Sequence, residues 1–166
     1  MSRYLETMRA FFDRGADSCE SHMKNNVNES AAFYREEARL VPVTTGIRIL
    51  YLGCGTGLEI DEIFKLNSTA RVTGIDLSEK MLEILRSKYK DKNGDLNLIA
   101  GSYFEVELPL EGFDVAISVQ SMHHFGQEQK LSLYRKVFRS PGGNRTYIEA
   151  DYVVGTAIEE MELLNR

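Results

Sequence analysis

The sequence predicts an α/β domain in which helices cover a parallel sheet. The central observation is an apolar run at 47–52 that ends in three closely spaced glycines and is followed by a helical pattern. Four further apolar runs follow, at 71–76, 96–100, 113–119 and 145–149, with helical or turn segments between them. Apolar runs of this length are typical of strands in parallel sheets, which are buried on both faces. Their alternation with helices indicates β-α-β units.

The composition is that of one globular domain. The chain has 166 residues, 43% of them hydrophobic and 27% charged, which is enough for a sizeable core. A net charge of −5 disfavours a broad basic face, so we expect no nucleic acid partner. The amino-terminal residues lack an apolar signal core, and no run approaches a membrane span, so we expect no membrane partner.

Cysteine and histidine usage argues against disulfides and metal. Cys19 and Cys54 are the two cysteines, and Cys54 lies inside the glycine turn, a poor place for a disulfide. We therefore expect a reducing, cytoplasmic setting. The three histidines, His22, His123 and His124, come with no nearby cysteine pattern, so no metal site is expected.

Residues 1–44 are expected to form a helical cover that precedes the sheet domain at 45–166. Apolar residues at helical spacing predict a first helix over 3–13 that breaks near Gly15, with irregular structure over 16–27. A second helix is predicted from about Glu29 to Leu40, because Pro42 ends its pattern. Two interpretations stay open: these helices cover a sheet edge, or they form a lid over a ligand site.

The glycines after the first strand indicate a ligand cradle. Gly53, Gly55 and Gly57 allow the backbone to turn sharply and to approach a ligand without an obstructing Cβ. The helix that follows begins with unpaired N–H groups and a partial positive charge. The spacing is G-x-G-x-G, with Leu58 where a dinucleotide site has its third glycine. Glu59 stands where a phosphate loop needs lysine, which excludes that motif.

The second predicted strand ends in a carboxylate, at a fixed spacing along the chain from the glycine turn. Asp76 follows Gly57 by 19 residues within one β-α-β unit. A carboxylate at the carboxyl end of a strand accepts hydrogen bonds from both hydroxyls of a ribose. The structural alternative is an N-cap for the next helix, but Ser78 serves that purpose itself.

These motifs together resemble the class I S-adenosylmethionine (SAM)-dependent methyltransferases. Leu52–Leu58 matches the first motif of the family, although Tyr51 stands where an acidic residue is usual. Gly74–Ser78 resembles the second motif, and Phe113–Ser118 resembles the motif of the fourth strand. Gln120–Phe125 resembles a His-His segment that is common in the enzymes of this family that methylate small molecules.

The resemblance implies a Rossmann-like, doubly wound parallel sheet with strand order 3-2-1-4-5. It covers roughly residues 45–152, and no sequence remains for the two further strands that the family normally adds. The fifth strand would then be an exposed edge, which soluble proteins normally protect. Either the chain is a piece of a longer protein, or a last helix at 156–164 or a second subunit covers that edge, for example in a homodimer.

The resemblance also assigns roles to residues. The glycine turn would hold the methionine part of SAM, Asp76 the ribose, and the residues after the second and third strands the adenine. Ser102 replaces a usual aspartate, so it either meets the adenine or only caps its turn. The fourth strand would line the donor side, and a histidine would face the acceptor and take its proton, unless the pair only packs and caps. The implied cofactor-binding residues are Gly53, Cys54, Gly55, Gly57, Asp76, Leu77, Ser102, Tyr103, Ser118 and Val119, and the implied catalytic residues are His123 and His124.

The expected function is methyl transfer from SAM to a small-molecule acceptor. Two alternatives stay open. One is a nicotinamide-dependent oxidoreductase, which Leu58 in the third glycine position and the lack of an evident Tyr-x-x-x-Lys pair disfavour. The other is a module that binds SAM without catalysis.

Overall fold

Helices and parallel strands alternate along most of the chain. The computed structural model describes residues 3–26, 30–92, 95–109, 112–141 and 146–151. Two helices come first, α1 (Arg3–Asn26) and α2 (Ser30–Leu40). Short 3₁₀ turns occur at Lys90–Lys92 and Met122–His124. The elements that follow α2 are β1 (Arg48–Leu52), α3 (Leu58–Leu66), β2 (Arg71–Asp76), α4 (Glu79–Lys88), β3 (Leu96–Ala100), β4 (Val115–Val119), α5 (Gln127–Arg139) and β5 (Thr146–Ala150).

The sheet has five parallel strands in the order β3-β2-β1-β4-β5, which confirms the predicted fold class and strand order. The chain order reverses between β1 and β4. In open α/β sheets this reversal opens a crevice at the carboxyl ends of the strands, because the connections leave it in opposite directions. The glycine turn follows β1 directly and therefore lies in that crevice.

Apolar clusters on the two faces of the sheet form the core. On one face, Ile49 and Val72 of the sheet pack with Ile60 of α3 and Leu82 of α4. On the other face, strand residues pack with Leu133 and Val137 of α5 and with Leu5 of α1. Each fully buried side chain of this size stabilises the fold by about 1.5–3 kcal/mol, so both layers are anchored to the sheet.

Helix α1 does not break near Gly15, and that prediction was wrong. The helix is continuous from Arg3 to Asn26. Tertiary contacts on both sides of Gly15 explain this. Ala16 is 2% exposed, Asp13 accepts a 2.6 Å hydrogen bond from Ser78, and Glu20 pairs with Lys88 at 2.9 Å. A helical glycine costs about 1 kcal/mol, which these contacts offset.

Other expectations are refined. Leu133 and Val137 are the buried residues of α5, whereas Leu131 and Phe138 are 47% and 59% exposed. Among the described strands β5 is an edge of the sheet, and a second subunit over it stays a prediction. The helix expected at 156–164 lies outside the described residues. No helix in the described ranges combines the length and apolarity needed to cross a membrane.

The continuity of α1 makes a direct prediction. Nothing lies within 4 Å of a Cβ built on Gly15. Gly15→Ala should therefore raise the free energy of unfolding by about 0.5–1 kcal/mol, measured by urea titration, because alanine loses less backbone entropy in a helix. The reciprocal change at an exposed site of the same helix, Ala10→Gly, should lower it by a similar amount. A loss of stability in Gly15→Ala would contradict the continuous helix.

Candidate functional site

A cavity of about 210 Å³ opens at the carboxyl ends of the strands, at the expected reversal point. The glycine turn and Asp76 both line it, together with side chains from α1, α2 and the loops after β3 and β4. Ten residues to which the sequence assigned a role line this one cavity: Gly53, Cys54, Gly55, Gly57, Asp76, Leu77, Ser102, Tyr103, Val119 and His124.

The glycine turn presents bare backbone to the cavity. Gly53, Gly55 and Gly57 have φ values of 75°, 50° and 79°, which side chains other than glycine rarely adopt. The close approach is tightest at Gly53, where an added Cβ would lie 2.3 Å from the Ser121 hydroxyl. Its amide is fixed by a 2.8 Å bond to the Ile75 carbonyl. The turn is therefore a cradle that a larger side chain would fill, as a nucleoside site requires.

Asp76 is held at the end of β2 by backbone amides. Its Oδ2 accepts from the Gly55 amide at 2.7 Å, and its Oδ1 accepts from the Ser78 amide at 2.8 Å. The carboxyl is 7% exposed. Burial raises its pKa, and the amides of Ser78 and Gly55 act in the opposite direction. Ser78, not Asp76, caps α4, since its hydroxyl accepts from the Met81 amide.

The loop after β3 is fixed by a lysine. The Lys136 ammonium donates to the carbonyls of Tyr103, Phe104 and Val106 at 2.9, 3.1 and 2.5 Å. Ser102 lines the cavity, and its hydroxyl also accepts a 3.3 Å bond from the Phe104 amide, so it caps its turn as well. The two interpretations of Ser102 are therefore compatible.

Helix α1 covers the cavity. Leu5, Met8 and Phe12 line it from this helix, and Tyr34 lines it from α2. The Tyr4 hydroxyl donates to the His124 carbonyl at 2.9 Å, which ties the start of α1 to the loop after β4. This placement supports the interpretation of the amino-terminal helices as a lid over a ligand site.

Two predicted site residues do not line the cavity. Ser118 of β4 is completely buried. It does not face the cavity, because successive side chains of a strand point to opposite faces and the next residue, Val119, lines the cavity. His123 is also absent from the described lining, and its ring faces Asp151 instead.

Asp151 is a site residue that sequence reasoning did not assign. It follows β5, and its Oδ1 lies 2.6 Å from His123 Nδ1. Its Oδ2 accepts from the amides of Met122 and His123 at 2.5 and 3.0 Å. This carboxylate therefore fixes both the 3₁₀ turn and the His123 ring. The available signal was its position after a parallel strand, the same position that singled out Asp76.

His124 is the histidine that reaches the cavity. Its ring lies 4.0 Å from the His123 ring and 5.5 Å from the Phe12 ring, centroid to centroid. Burial, and secondarily the neighbouring His123, lowers the pKa of His124 to about 4. It is therefore a neutral imidazole near neutral pH, able to accept a hydrogen bond or a proton.

Glu59 and Tyr51 also line the cavity and were assigned no binding role. Glu59 lies in the first turn of α3 and is 7% exposed. The sequence did contain a signal for a binding role of Glu59: it is a carboxylate in the first helical turn after a glycine loop, next to the apolar Ile60. Within the described ranges, no three His, Cys, Asp or Glu side chains are grouped as a metal ion would need.

The sequence pattern of the methyltransferase domain family matches residues 49–143, more than half of the chain. The chain is 30% identical over 130 residues to the malonyl-[acyl-carrier protein] O-methyltransferase of Bacillus cereus, covering 74% of this chain and 47% of that protein. It is 30% identical over 115 residues to the demethylmenaquinone methyltransferase of Lactococcus lactis, covering 65% and 44%. The chain thus spans about half the length of the curated relatives it matches.

The fold has solved counterparts. A structure described as a DhpI–SAM–HEP complex superposes with a TM-score of 0.71 at 18% identity, covering 98% of this chain and 72% of that chain. At this identity the likeness is one of fold.

The histidine loop generates a pH prediction. The pKa of His124 is about 4 in the folded protein and about 6.5 in the unfolded chain. Between these two pH values, the unfolded state therefore binds more protons than the folded state. The contribution of His124 to stability is therefore complete above about pH 6.5 and falls as the pH falls toward about 4. His124→Phe should flatten this part of the stability profile in urea titrations, and an NMR titration of the His124 ring should show a midpoint near 4. A midpoint near 6.5 would contradict its burial.

Proposed function

The chain belongs to the class I SAM-dependent methyltransferases, and we propose that it transfers a methyl group from SAM to a small-molecule acceptor. The observation that carries the proposal is the single cavity that the glycine turn and Asp76 share. These are the two features that a nucleoside with a charged tail needs: bare backbone at a helix start and a carboxylate for the ribose.

The residues present fit SAM. Gly53, Gly55 and Gly57 would hold its methionine part, and Asp76 its ribose hydroxyls. Leu77, Ser102 and Tyr103 would surround the adenine. When bound, SAM supplies an activated methyl group on a sulfonium with a good leaving group. The task of the protein is then mainly to position the acceptor and to exclude water.

Apart from the residues proposed to hold SAM, the cavity supports a small, largely apolar acceptor. Leu5, Met8, Phe12 and Phe125 line it, and the charged side chains of its described lining are Glu59 and Asp76. Two carboxylates next to the cavity disfavour an anionic acceptor.

His124 is the group that would meet the acceptor. It faces the cavity as a neutral imidazole, so it can accept the proton of an acceptor hydroxyl. His123, held by Asp151, packs against its ring and positions it. We thus propose His124 as the base and His123 as a positioning residue. The sequence had left open which of the two histidines, if either, takes the proton.

A cytoplasmic setting completes the proposal. The buried Cys54 thiol is free and lies in the cofactor turn, where oxidation would disturb the site.

A thermal-shift and calorimetric comparison tests the proposed cofactor. S-adenosylhomocysteine should raise the melting temperature and NADH should not. The opposite result would favour the nicotinamide alternative. Binding of S-adenosylhomocysteine without product formation from any acceptor would favour the non-catalytic module.

The ribose assignment predicts that Asp76→Ala weakens S-adenosylhomocysteine binding by about 1–3 kcal/mol, because charge-assisted hydrogen bonds are lost. Calorimetry would measure the affinity, and the ligand-free melting temperature would report the cost of freeing the Gly55 and Ser78 amides. The exposed Asp91→Ala is the matched control and should bind normally. Unchanged affinity in Asp76→Ala would remove the ribose assignment.

The proposed base predicts a separation of binding from turnover. The rate of methyl transfer is measured as the formation of S-adenosylhomocysteine from SAM with a panel of small hydroxylated acceptors. His124→Ala should lower this rate about a hundredfold to ten-thousandfold relative to the wild type. Its affinity for S-adenosylhomocysteine should stay unchanged. An equal loss of affinity and rate would show that the residue is structural.

A further inference from the structure

Glu59 is a buried carboxylate to which the proposed mechanism gives no task. It lies in the first turn of α3, two residues after Gly57, and lines the same cavity as the glycine turn. It is 93% buried, as its 7% exposure shows. Buried carboxylates are rare unless they are paired, because burial penalises the charged form.

Among the described residues, the groups that hydrogen-bond to this carboxylate are neutral: the backbone amide of Glu59 itself and a tyrosine hydroxyl. The hydroxyl of Tyr51, which is 1% exposed, forms a side-chain hydrogen bond with Glu59. Tyr51 keeps its proton, because burial raises its pKa well above the usual range. The hydrogen bond therefore satisfies part of the carboxylate without neutralising its charge.

The cation that acts on Glu59 through space is Lys88, and it is already engaged. Its ammonium bonds to Glu20 at 2.9 Å, to Asp61 at 3.2 Å and to the Thr56 carbonyl at 3.0 Å. In the described part of the chain, no lysine or arginine forms an ion pair with Glu59. The cavity thus has a buried negative group without a cationic partner in contact.

The two cavity carboxylates flank the glycine turn. Both Asp76 and Glu59 act electrostatically on the thiol of Cys54, the residue between the first two glycines of the turn. If Asp76 holds the ribose, the part of the ligand that extends along the turn toward α3 meets Glu59. In SAM and in S-adenosylhomocysteine that part carries an α-ammonium group.

We infer that Glu59 binds the α-ammonium group of the methionine part of SAM, an inference that rests on the proposed function. A cation in contact repays the cost of burying this carboxylate and leaves the Tyr51 hydrogen bond in place. Ligands of the adenosine type that lack the amino acid would lose this interaction. Glu59 would therefore select for the intact amino acid tail.

The pKa of Glu59 agrees with this geometry. Burial raises it to about 7, against the opposing effect of the Tyr51 hydrogen bond. The groups that face it are Tyr51 of β1, Glu37 of α2 and Lys88 of α4. A bound ammonium would lower this pKa, so ligand binding near neutral pH should release a proton from Glu59.

The experiment compares two ligands in two variants by calorimetry. S-adenosylhomocysteine carries the ammonium, whereas methylthioadenosine lacks the amino acid. Glu59→Gln keeps an acceptor for Tyr51 but removes the charge. We expect it to weaken S-adenosylhomocysteine binding about tenfold to a hundredfold and to leave methylthioadenosine binding unchanged. Glu83→Gln, at an exposed position of α4, is the matched control and should change neither affinity.

The outcomes separate this inference from the proposed function. If neither ligand binds the wild type, the proposed function fails and the inference fails with it. If both bind the wild type and Glu59→Gln weakens both equally, or weakens neither, Glu59 is only structural. Tighter S-adenosylhomocysteine binding in Glu59→Gln would place the ligand carboxylate there and would also overturn the inference.

A second measurement needs no variant and serves if Glu59→Gln does not fold. The preference of the wild type for S-adenosylhomocysteine over methylthioadenosine should fall about tenfold as the pH is lowered from about 8 to about 6, because Glu59 takes up a proton. Calorimetry in two buffers with different ionisation enthalpies should show proton release on S-adenosylhomocysteine binding. A preference that is constant with pH would overturn the inference.

Discussion

The carboxylate of Asp76 connects the two loops on which the site depends. One oxygen accepts from the Gly55 amide in the turn after β1, and the other accepts from the Ser78 amide at the start of α4. Because this group is buried, an unmet hydrogen bond there would be costly, so the two loops are held in a fixed relation. The crevice at the carboxyl ends of the strands is therefore formed before a ligand enters. Preorganisation of this kind is what a methyl transfer that relies on positioning requires.

Helix α1 covers part of this crevice, and polar contacts fix the helix in place. The Asp13–Ser78 bond reaches the residue that caps α4, next to Asp76. The Glu20–Lys88 pair reaches the other end of α4. The covering helix is thus attached to the same helix that follows Asp76. Movement of α1 would open the cavity only if these contacts were given up together.

The charges around the cavity follow one pattern. Glu59 and Asp76 supply two buried carboxylates, and the histidine that faces the cavity is neutral, because burial lowers its pKa to about 4. Carboxylates that ionise here without an ion pair from the described residues favour a cationic ligand over an anionic one. SAM has a positive sulfonium and a positive ammonium, so the electrostatics of this cavity and the family of the chain lead to the same class of ligand.

Much of the fold and part of the site could be predicted from the sequence alone, because the determining interactions are local. An apolar run, three glycines spaced by two and a strand-ending aspartate all act within one β-α-β unit. Together with four further apolar runs they predicted the five strands, and the family resemblance that they support implied ten residues that line the cavity. The continuity of α1 across Gly15 could not be predicted, because contacts made from distant α4 stabilise it. The Asp151–His123 pair joins residues 28 positions apart, and the direction of Ser118 depends on how β4 is packed. Tertiary structure alone decided these features, because burial and long-range hydrogen bonds outweigh the local preference of any single residue.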